Sequence, residues 1–229
     1  MFIYNYNGEV MTKKDLLKQA IIDNVRTGRW GPGEIVNETD LSQEFGLSAT
    51  PIREVILALE NEGLLVKKSR GGVRVQEYNI EELLGAVEVY AELEGLTAKY
   101  ATQRITHKQG LALEQAVLAC EAFVNEVNPN AIINGDAYYG LNLDFHFALF
   151  KASGNQVLIE QIDRFGTRLV AYFRSRHRLR GSLERSAKEH SEVYTAIIDG
   201  NPSLAQELMF KHVMLPGDIA LDVLNSMRN

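Results

Sequence analysis

Hydrophobic residues between positions 38 and 63 recur at the intervals expected for two short helices. The first predicted helix carries Leu41 and Phe45 on one face and ends at Gly46. The second places four apolar residues at the i, i+3, i+4 and i+7 positions of one face: Ile52, Val55, Ile56 and Leu59. Two helices joined by a tight, glycine-containing turn are typical of a helix-turn-helix, although an ordinary helical hairpin has the same pattern.

The second helix of a helix-turn-helix enters the DNA major groove with its N-terminal residues. In this chain those residues are Ser48, Ala49, Thr50 and Arg53, which we predict to be exposed. Ser48 or Thr50 can cap the helix, and Pro51 suits its first turn because a missing N–H costs nothing there. Arg53 is the leading candidate for a direct DNA contact.

Two short strand-like runs follow at residues 64–66 and 73–75, and Gly71 and Gly72 supply a turn between them. Four basic residues lie in or beside this predicted hairpin: Lys67, Lys68, Arg70 and Arg74. Next to a helix-turn-helix, such a hairpin predicts the wing of a winged helix, with Lys68, Arg70 and Gly72 against phosphates or the minor groove. Alone, it would equally suit a solvated sheet edge on which lysines oppose aggregation.

Helical periodicity accounts for the rest of the chain. A first helix begins after Thr12 and ends before Gly28. Beyond residue 78 the pattern predicts only helices, at about residues 80–103, 106–127, 131–153, 156–178, 182–198, 203–214 and 219–227. We therefore predict a mostly α protein, with a winged helix-turn-helix DNA-binding domain in residues 1–77 and an all-α bundle in residues 78–229.

The composition is that of an ordinary globular protein, with 45% hydrophobic and 24% charged residues among 229. No apolar run approaches the roughly 20 residues that a membrane helix needs, and the first ten residues are too polar for a signal sequence. The single cysteine, Cys120, excludes an internal disulfide and falls at core spacing with Leu113, Val117 and Val124. We expect a cytoplasmic protein without membrane contact, in which Cys120 fills the core.

The net charge of −6 argues against indiscriminate binding to nucleic acid, because phosphate attraction needs positive charge. The placement of charge matters more than its sum. Basic residues gather in the predicted wing, and acidic residues such as Glu81, Glu82 and Glu88 follow in the helical half. This distribution indicates DNA contact through the first domain only.

Three of the five histidines fall in separate predicted helices: His146, His190 and His212. Asn142 precedes His146 by four residues, so the two share a helix face. Imidazoles from three helices plus an oxygen ligand suit zinc, nickel or another first-row divalent ion. Each histidine taken alone is more readily explained as a hydrogen-bonded or surface residue. Asp144 lies on the opposite side from His146 and is a weaker ligand candidate.

Four arginines cluster around His177 in the fourth helix of the bundle: Arg174, Arg176, Arg178 and Arg180. They can form an ordinary solvated helix face. Alternatively, one of them turns inward and holds a carboxylate or phosphate effector through a forked contact.

From about Lys13 to Asp222 the chain resembles the GntR family of bacterial transcriptional regulators, in its FadR-like branch with a helical FCD effector domain. The N-terminal half of the resemblance rests on Gly33-Glu34, Glu38, Leu41-Ser42, Gly46-Leu47-Ser48, Thr50-Pro51-Ile52-Arg53-Glu54, Leu59-Glu60, Glu62-Gly63-Leu64-Leu65 and Gly71-Gly72. The C-terminal half rests on Leu93-Glu94, Phe145-His146, Ser153-Gly154-Asn155, Glu189-His190, Ala196-Ile197, Gly200 and His212. The resemblance implies that the three histidines bind a divalent metal that helps to hold a small carboxylate.

The chain departs from the family pattern at four positions. Asn142 stands where the family usually has aspartate, which bears on metal affinity and metal choice. Tyr90 replaces an arginine that commonly precedes the family glutamate, here Glu94, and this implies an effector pocket built from Tyr90, Glu94 and Arg174. In the DNA-binding half, Ala49 replaces an arginine often found after the serine, and Thr39 occupies a position that is basic in some relatives.

The sequence thus predicts a homodimeric transcriptional regulator, most often a repressor in this family, that binds a palindromic operator in double-stranded DNA. A small-molecule effector would act through the helical domain, near a zinc or nickel ion. Two alternatives stay open: a helical half that only dimerises and holds a structural metal or none, and a three-histidine metalloenzyme. No nucleophile or acid–base motif accompanies the histidines, so we predict that the protein is not an enzyme.

Overall fold

The computed structural model describes residues 11–69, 72–126, 135–214 and 216–226. Contacts within the chain divide it into two compact units, Met1–Tyr78 and Asn79–Asn229, which we call the N-terminal and C-terminal units. Each unit has its own apolar core.

The N-terminal unit combines three helices with a small sheet. Its elements in chain order are α1 (Lys13–Arg26), β1 (Ile35–Val36), α2 (Glu38–Phe45), α3 (Ala49–Asn61), β2 (Leu65–Lys68) and β3 (Gly72–Val75). Thr12 caps α1 in a reciprocal capping box with Asp15, and Gly46 ends α2 in the left-handed conformation at φ 59°. The four apolar residues that predict α3 are all buried.

The sheet has three antiparallel strands in the order β1-β3-β2, where the sequence indicates only two. Val36 pairs with Val73, and Ile35 pairs with Arg74. A two-residue strand is too short to show alternation, so only its pairing with β3 makes β1 recognisable. The hairpin strands run from Leu65 and Gly72, close to prediction, whereas Arg70 and Gly71 lie outside the described residues.

The C-terminal unit is helical throughout its described residues. Its elements are α4 (Ile80–Arg104), α5 (His107–Glu126), α6 (Gly135–Ser153), α7 (Gln156–Arg176), α8 (Ser182–Ile198), α9 (Pro202–Val213) and α10 (Gly217–Ser226). The predicted fold class, a winged helix-turn-helix followed by an all-α bundle, is confirmed. None of the helices in the described part of the chain combines the length and apolarity that crossing a bilayer requires.

Helix α4 is the centre of the bundle, because α6, α7, α8, α9 and α10 all contact it. Its approach to α9 depends on Gly95, where a Cβ atom would lie 3.1 Å from the Gln206 carbonyl oxygen. Helix α5 packs against α6 and α8 on one side of the bundle. This arrangement brings α6, α8 and α9, the three histidine-bearing helices, together against α4.

Candidate metal centre and nucleic-acid interface

The three histidines converge in the core of the C-terminal unit. His146 comes from α6, His190 from α8 and His212 from the last turn of α9. All three are buried, and their candidate ligand nitrogens lie within 4.8 Å of one another. The helical bundle therefore brings together residues that are 66 positions apart at the extremes.

Carboxylates hold two of the three imidazoles in one orientation. His146 Nδ1 lies 2.6 Å from Glu94 Oε2, and His212 Nδ1 lies 2.8 Å from Glu189 Oε2. A carboxylate can only accept a hydrogen bond, so each Nδ1 carries the proton and each Nε2 keeps a free lone pair. This is the arrangement in which an acidic residue behind a histidine prepares it to bind a metal.

The third imidazole, His190, faces His212 directly. Their Nε2 atoms are 3.1 Å apart, and His190 Nδ1 is buried without a hydrogen-bond partner among the described residues. Two ligands of one zinc or similar ion stand about 2.9–3.4 Å apart, given metal–nitrogen bonds of about 2.0–2.1 Å. The separation of His190 and His212 therefore fits two ligands of a shared ion.

Burial favours the neutral form of His190 and His212. It lowers the pKa of His190 and of His212 well below the ordinary value, and the neighbouring histidines lower both further. Neutral imidazole is the form that binds metals. Phe145 stacks on the His190 ring at a centroid distance of 3.8 Å and fixes that ring in place. The donor set thus fits a first-row divalent ion.

Asn142 lies one turn before His146 on α6 and is buried. Its Oδ1 lies 3.4 Å from Ser186 Oγ, and Ser186 lies one turn before His190 on α8. The two polar pairs therefore lie side by side along neighbouring helices. Asp144 is exposed, as its position in the helical repeat predicts.

Tyr90 and Glu94 lie on the face of α4 that points into the bundle. Glu94 is buried and binds His146, so its carboxylate orients a histidine. Tyr90 packs against Phe173, and a Cβ atom on Gly166 would lie 2.9 Å from its hydroxyl oxygen. Burial and the nearby Glu94 carboxylate raise the pKa of Tyr90 well above its usual range. Gly166 therefore leaves the space that the Tyr90 ring occupies.

The arginine cluster at the C-terminal end of α7 is only partly a solvated surface. Arg176 is the residue that turns inward: its Nη1 donates to the His212 carbonyl oxygen at 2.7 Å, and its Nη2 lies 3.8 Å from Glu189. Arg174 Nε instead binds Asp136 at 2.7 Å, and its Nη1 is buried without a partner in the described ranges. The carboxylate that Arg176 holds belongs to the protein itself.

His177 is a buried residue, although the sequence places it among charged neighbours. Its ring packs against Tyr138 and Tyr139, with centroid distances of 5.3 and 5.8 Å, and its Nδ1 lies 2.9 Å from the Phe173 carbonyl oxygen. Burial lowers the pKa of His177 to about 4. The sequence does not predict this packing role, because four arginines flank His177 and suggest an exposed segment.

The first turn of α3 leaves its polar groups uncommitted. Ser48 occupies the N-cap position, yet no hydrogen bond from its side chain caps the helix within the described structure. Ser48, Ala49 and Thr50 are all exposed, and the turn contains no acidic residue. A helix N-terminus of this kind attracts phosphate oxygens.

Arg53 lies on the exposed side of α3, with 72% of its side chain accessible. Its Nε lies 3.1 Å from Glu38 Oε2 on α2, a contact that orients the guanidinium at the surface. Thr39, on the first turn of α2, is also exposed. These residues form one surface of the helix-turn-helix.

The basic residues of the wing have two roles, since some are exposed and one holds the sheet together. Lys67, Lys68 and Gly72 are exposed, whereas Arg74 Nη1 donates to the Gly33 carbonyl oxygen at 2.8 Å. Arg74 therefore fastens β3 to the turn before β1. Arg70, predicted as a wing contact, lies outside the described residues.

Comparison with known proteins adds family matches to this geometry. Residues 13–75 match the bacterial regulatory proteins of the gntR family, and residues 86–214 match the FCD domain. The chain is 25% identical over 190 residues to an uncharacterized HTH-type transcriptional regulator, YdhC, from Bacillus subtilis, covering 81% of this chain and 80% of that protein. It is 24% identical over 202 residues to a probable D-xylose utilization operon transcriptional repressor from Paenarthrobacter nicotinovorans, covering 86% and 84%.

The fold also has a solved counterpart. The structure of E. coli McbR/YncC superposes with a TM-score of 0.76 at 15% sequence identity, over 96% of this chain and 100% of that one. At this identity the likeness concerns the fold alone.

Proposed function

Since the chain belongs to the GntR family of transcriptional regulators and carries an FCD domain, we propose that it is a metal-dependent repressor controlled by a small carboxylate. The prediction that it is not an enzyme is confirmed, because the matched families and relatives are regulators. Its assignment to the FadR-like branch stays a prediction. A homodimer would bind a palindromic operator, with one winged helix on each half-site.

The observation that carries the metal proposal is the convergence of three buried imidazoles. His146 and His212 have their Nδ1 atoms held by Glu94 and Glu189, which leaves both Nε2 atoms free for a ligand. The Nε2 atoms of His190 and His212 lie 3.1 Å apart, a separation that two ligands of one ion would have. Zinc and nickel both accept imidazole ligands in such a site.

The chemistry of the donors supports an anionic effector. Imidazole and amide ligands carry no negative charge, so a divalent ion bound directly to them would present a positive centre to a carboxylate. Arg174 adds a second feature, because its buried Nη1 lacks an acceptor among the described residues. A buried donor without a partner is costly, and an effector carboxylate would satisfy it.

The DNA part of the proposal rests on the first turn of α3. Ser48 and Thr50 present hydroxyl groups on an exposed face, Arg53 adds an exposed side chain next to them, and Lys68 extends positive charge along the wing. In this arrangement Arg53 reads a base edge or holds a phosphate, and the helix N-terminus faces the backbone. Effector control requires different operator affinity in the presence and absence of effector, since a ligand shifts an equilibrium only through differential binding.

The decisive experiment is metal analysis of the purified protein and of two alanine variants. We expect about one equivalent of zinc or nickel per chain, retained in His107→Ala and lost in His190→Ala. His107 is an exposed histidine at the start of α5, so its removal controls for the loss of an imidazole. Equal metal content in both variants would contradict the proposed centre.

Operator binding by the same proteins separates the two halves of the proposal. Metal-free His190→Ala should still bind operator DNA, but small carboxylates should no longer change its affinity. A protein that selects no site from a library of its own organism's genomic DNA would contradict the regulatory role, whatever its metal content.

A further inference from the structure

Helix α5 has an apolar stripe on the side that faces away from the bundle. Its inward side carries Leu113, Val117 and Cys120, all buried. The opposite side carries four exposed residues: Leu111, Gln115, Leu118 and Ala122. Leu111 and Leu118 are 48% and 54% accessible, which is unusual for two leucines on one helix face.

The spacing of this stripe is that of a helix-pairing seam. The intervals are four, three and four residues, the alternation by which apolar positions face a partner helix. The other large apolar residues exposed in the described C-terminal unit occur once per helix: Val89, Phe147, Val157, Ile198, Leu204 and Leu221. Only on α5 do two such residues share one line.

We infer that α5 pairs antiparallel with α5 of a second copy of the chain, across a two-fold axis level with the midpoint between Gln115 and Leu118. This inference rests on the homodimer of the proposed function and specifies its surface. In that register Leu111 lies over Ala122 of the second copy, and Gln115 lies beside Leu118 of the second copy. A large side chain then meets a small one at each end of the seam, as close packing requires.

Charge complementarity selects this partner and this direction. Lys108 and Glu126 are exposed at opposite ends of α5 and are 18 residues apart, which is five full helical turns. They therefore lie on the same flank of the seam. Antiparallel pairing places each Lys108 beside Glu126 of the second copy, whereas a parallel pair would gather both lysines at one end of the seam and both glutamates at the other.

Disulfide trapping tests the register. Gln115 lies about 1.5 residues from the axis, so two copies are offset by about 4.5 Å along the helices, and Gln115→Cys should form a covalent dimer on mild oxidation. Ala122→Cys is the matched control. Its copies would be offset by about 16 Å, too far for a disulfide, so this variant should stay uncrosslinked. The native Cys120 is buried and should not react.

Charge reversal gives an independent readout. Lys108→Glu and Glu126→Lys should each weaken dimerisation about tenfold in sedimentation measurements at low salt, because each disturbs two symmetric ion pairs. The double variant should restore the original dissociation constant. Failure of the double variant to restore it would overturn the antiparallel register.

The outcomes distinguish this inference from the proposed function. A stable dimer that Gln115→Cys does not crosslink would mean that another surface pairs the chains; this would overturn the inference and leave the operator-binding dimer intact. A protein that stays monomeric both in solution and on operator DNA would contradict the inference and the proposed homodimer together.

Discussion

The first turn of α3 and the histidine centre of the C-terminal unit treat polar groups in opposite ways. On α3, Ser48 makes no capping bond and Arg53 keeps most of its side chain exposed. In the histidine centre, carboxylates hold two imidazoles before any ligand arrives. A DNA duplex presents a long row of phosphates that adjustable side chains can contact, whereas a metal ion needs donors already in place.

The largest expected effect is the loss of operator binding when the exposed surface of α3 is changed. Arg53→Ala should weaken operator binding about a hundredfold, because one guanidinium contact contributes about 1–3 kcal/mol and a dimer loses two. Metal content should not change. Arg29→Ala, which removes an equal charge from another exposed site, serves as the control in electrophoretic or fluorescence binding assays. Equal losses from both variants would mean that only overall charge matters.

A substitution in the histidine centre should lower metal affinity and leave DNA binding unchanged. Glu94→Gln removes the charge behind His146 and should lower metal affinity about tenfold. The metal-free variant should bind operator DNA like the wild-type protein. Glu92→Gln, on the exposed side of the same helix, is the matched control in a competition titration with a metal-binding dye. Unaltered metal affinity in Glu94→Gln would show that His146 needs no carboxylate support.

Helix capping offers a smaller test of how uncommitted the first turn of α3 is. Ser48→Ala should change the free energy of unfolding by less than about 0.5 kcal/mol, because no capping bond is lost. Asn37→Ala should cost about 1 kcal/mol, since Asn37 Oδ1 accepts the Thr39 N–H at 2.9 Å. Urea denaturation measures both. A Ser48→Ala penalty as large as that of Asn37→Ala would indicate a structural role for the hydroxyl.

The smallest expected signal is a thiol that does not react. Burial raises the pKa of Cys120 to about 11, so only about one thiol in a thousand is ionised at pH 8. Since the thiolate is the reactive form, a chromogenic disulfide reagent should label Cys120 only after the protein unfolds. Rapid labelling of the native protein at pH 8 would show that the core around α5 opens readily.

Much of the fold could be predicted because periodic apolar positions reflect local geometry. The helices of both units begin and end within a few residues of prediction wherever the structure describes them, as with α1 and α4. Strand β1 could not be predicted, because two residues show no alternation and the strand exists only through pairing with β3. The buried role of His177 escaped for a related reason, since its aromatic neighbours come from α6.

The sequence names the three histidines that the structure brings together, but it does not reveal which residues contact them. The sequence suggests Glu94 and Arg174 as effector contacts, yet the structure places Glu94 against His146 and turns Arg176 toward His212 and Glu189. Residues of one helix differ by 100° per position, so the inward-pointing arginine depends on how α7 packs against its neighbours. The effector contact of Arg174 stays a proposal.

The amino-acid sequence by itself determined the two-part organisation, the helix-turn-helix, and the family, because these depend on local periodicity, turn residues and motifs. Tertiary structure decided which polar groups meet, namely the Nε2 atoms of His190 and His212 and the carboxylates behind two imidazoles. It also decided which side of α5 stays exposed. The physical reason is the sequence separation of the residues that interact. Helix formation depends on neighbours within one turn, whereas a binding centre depends on side chains brought together only when helices pack.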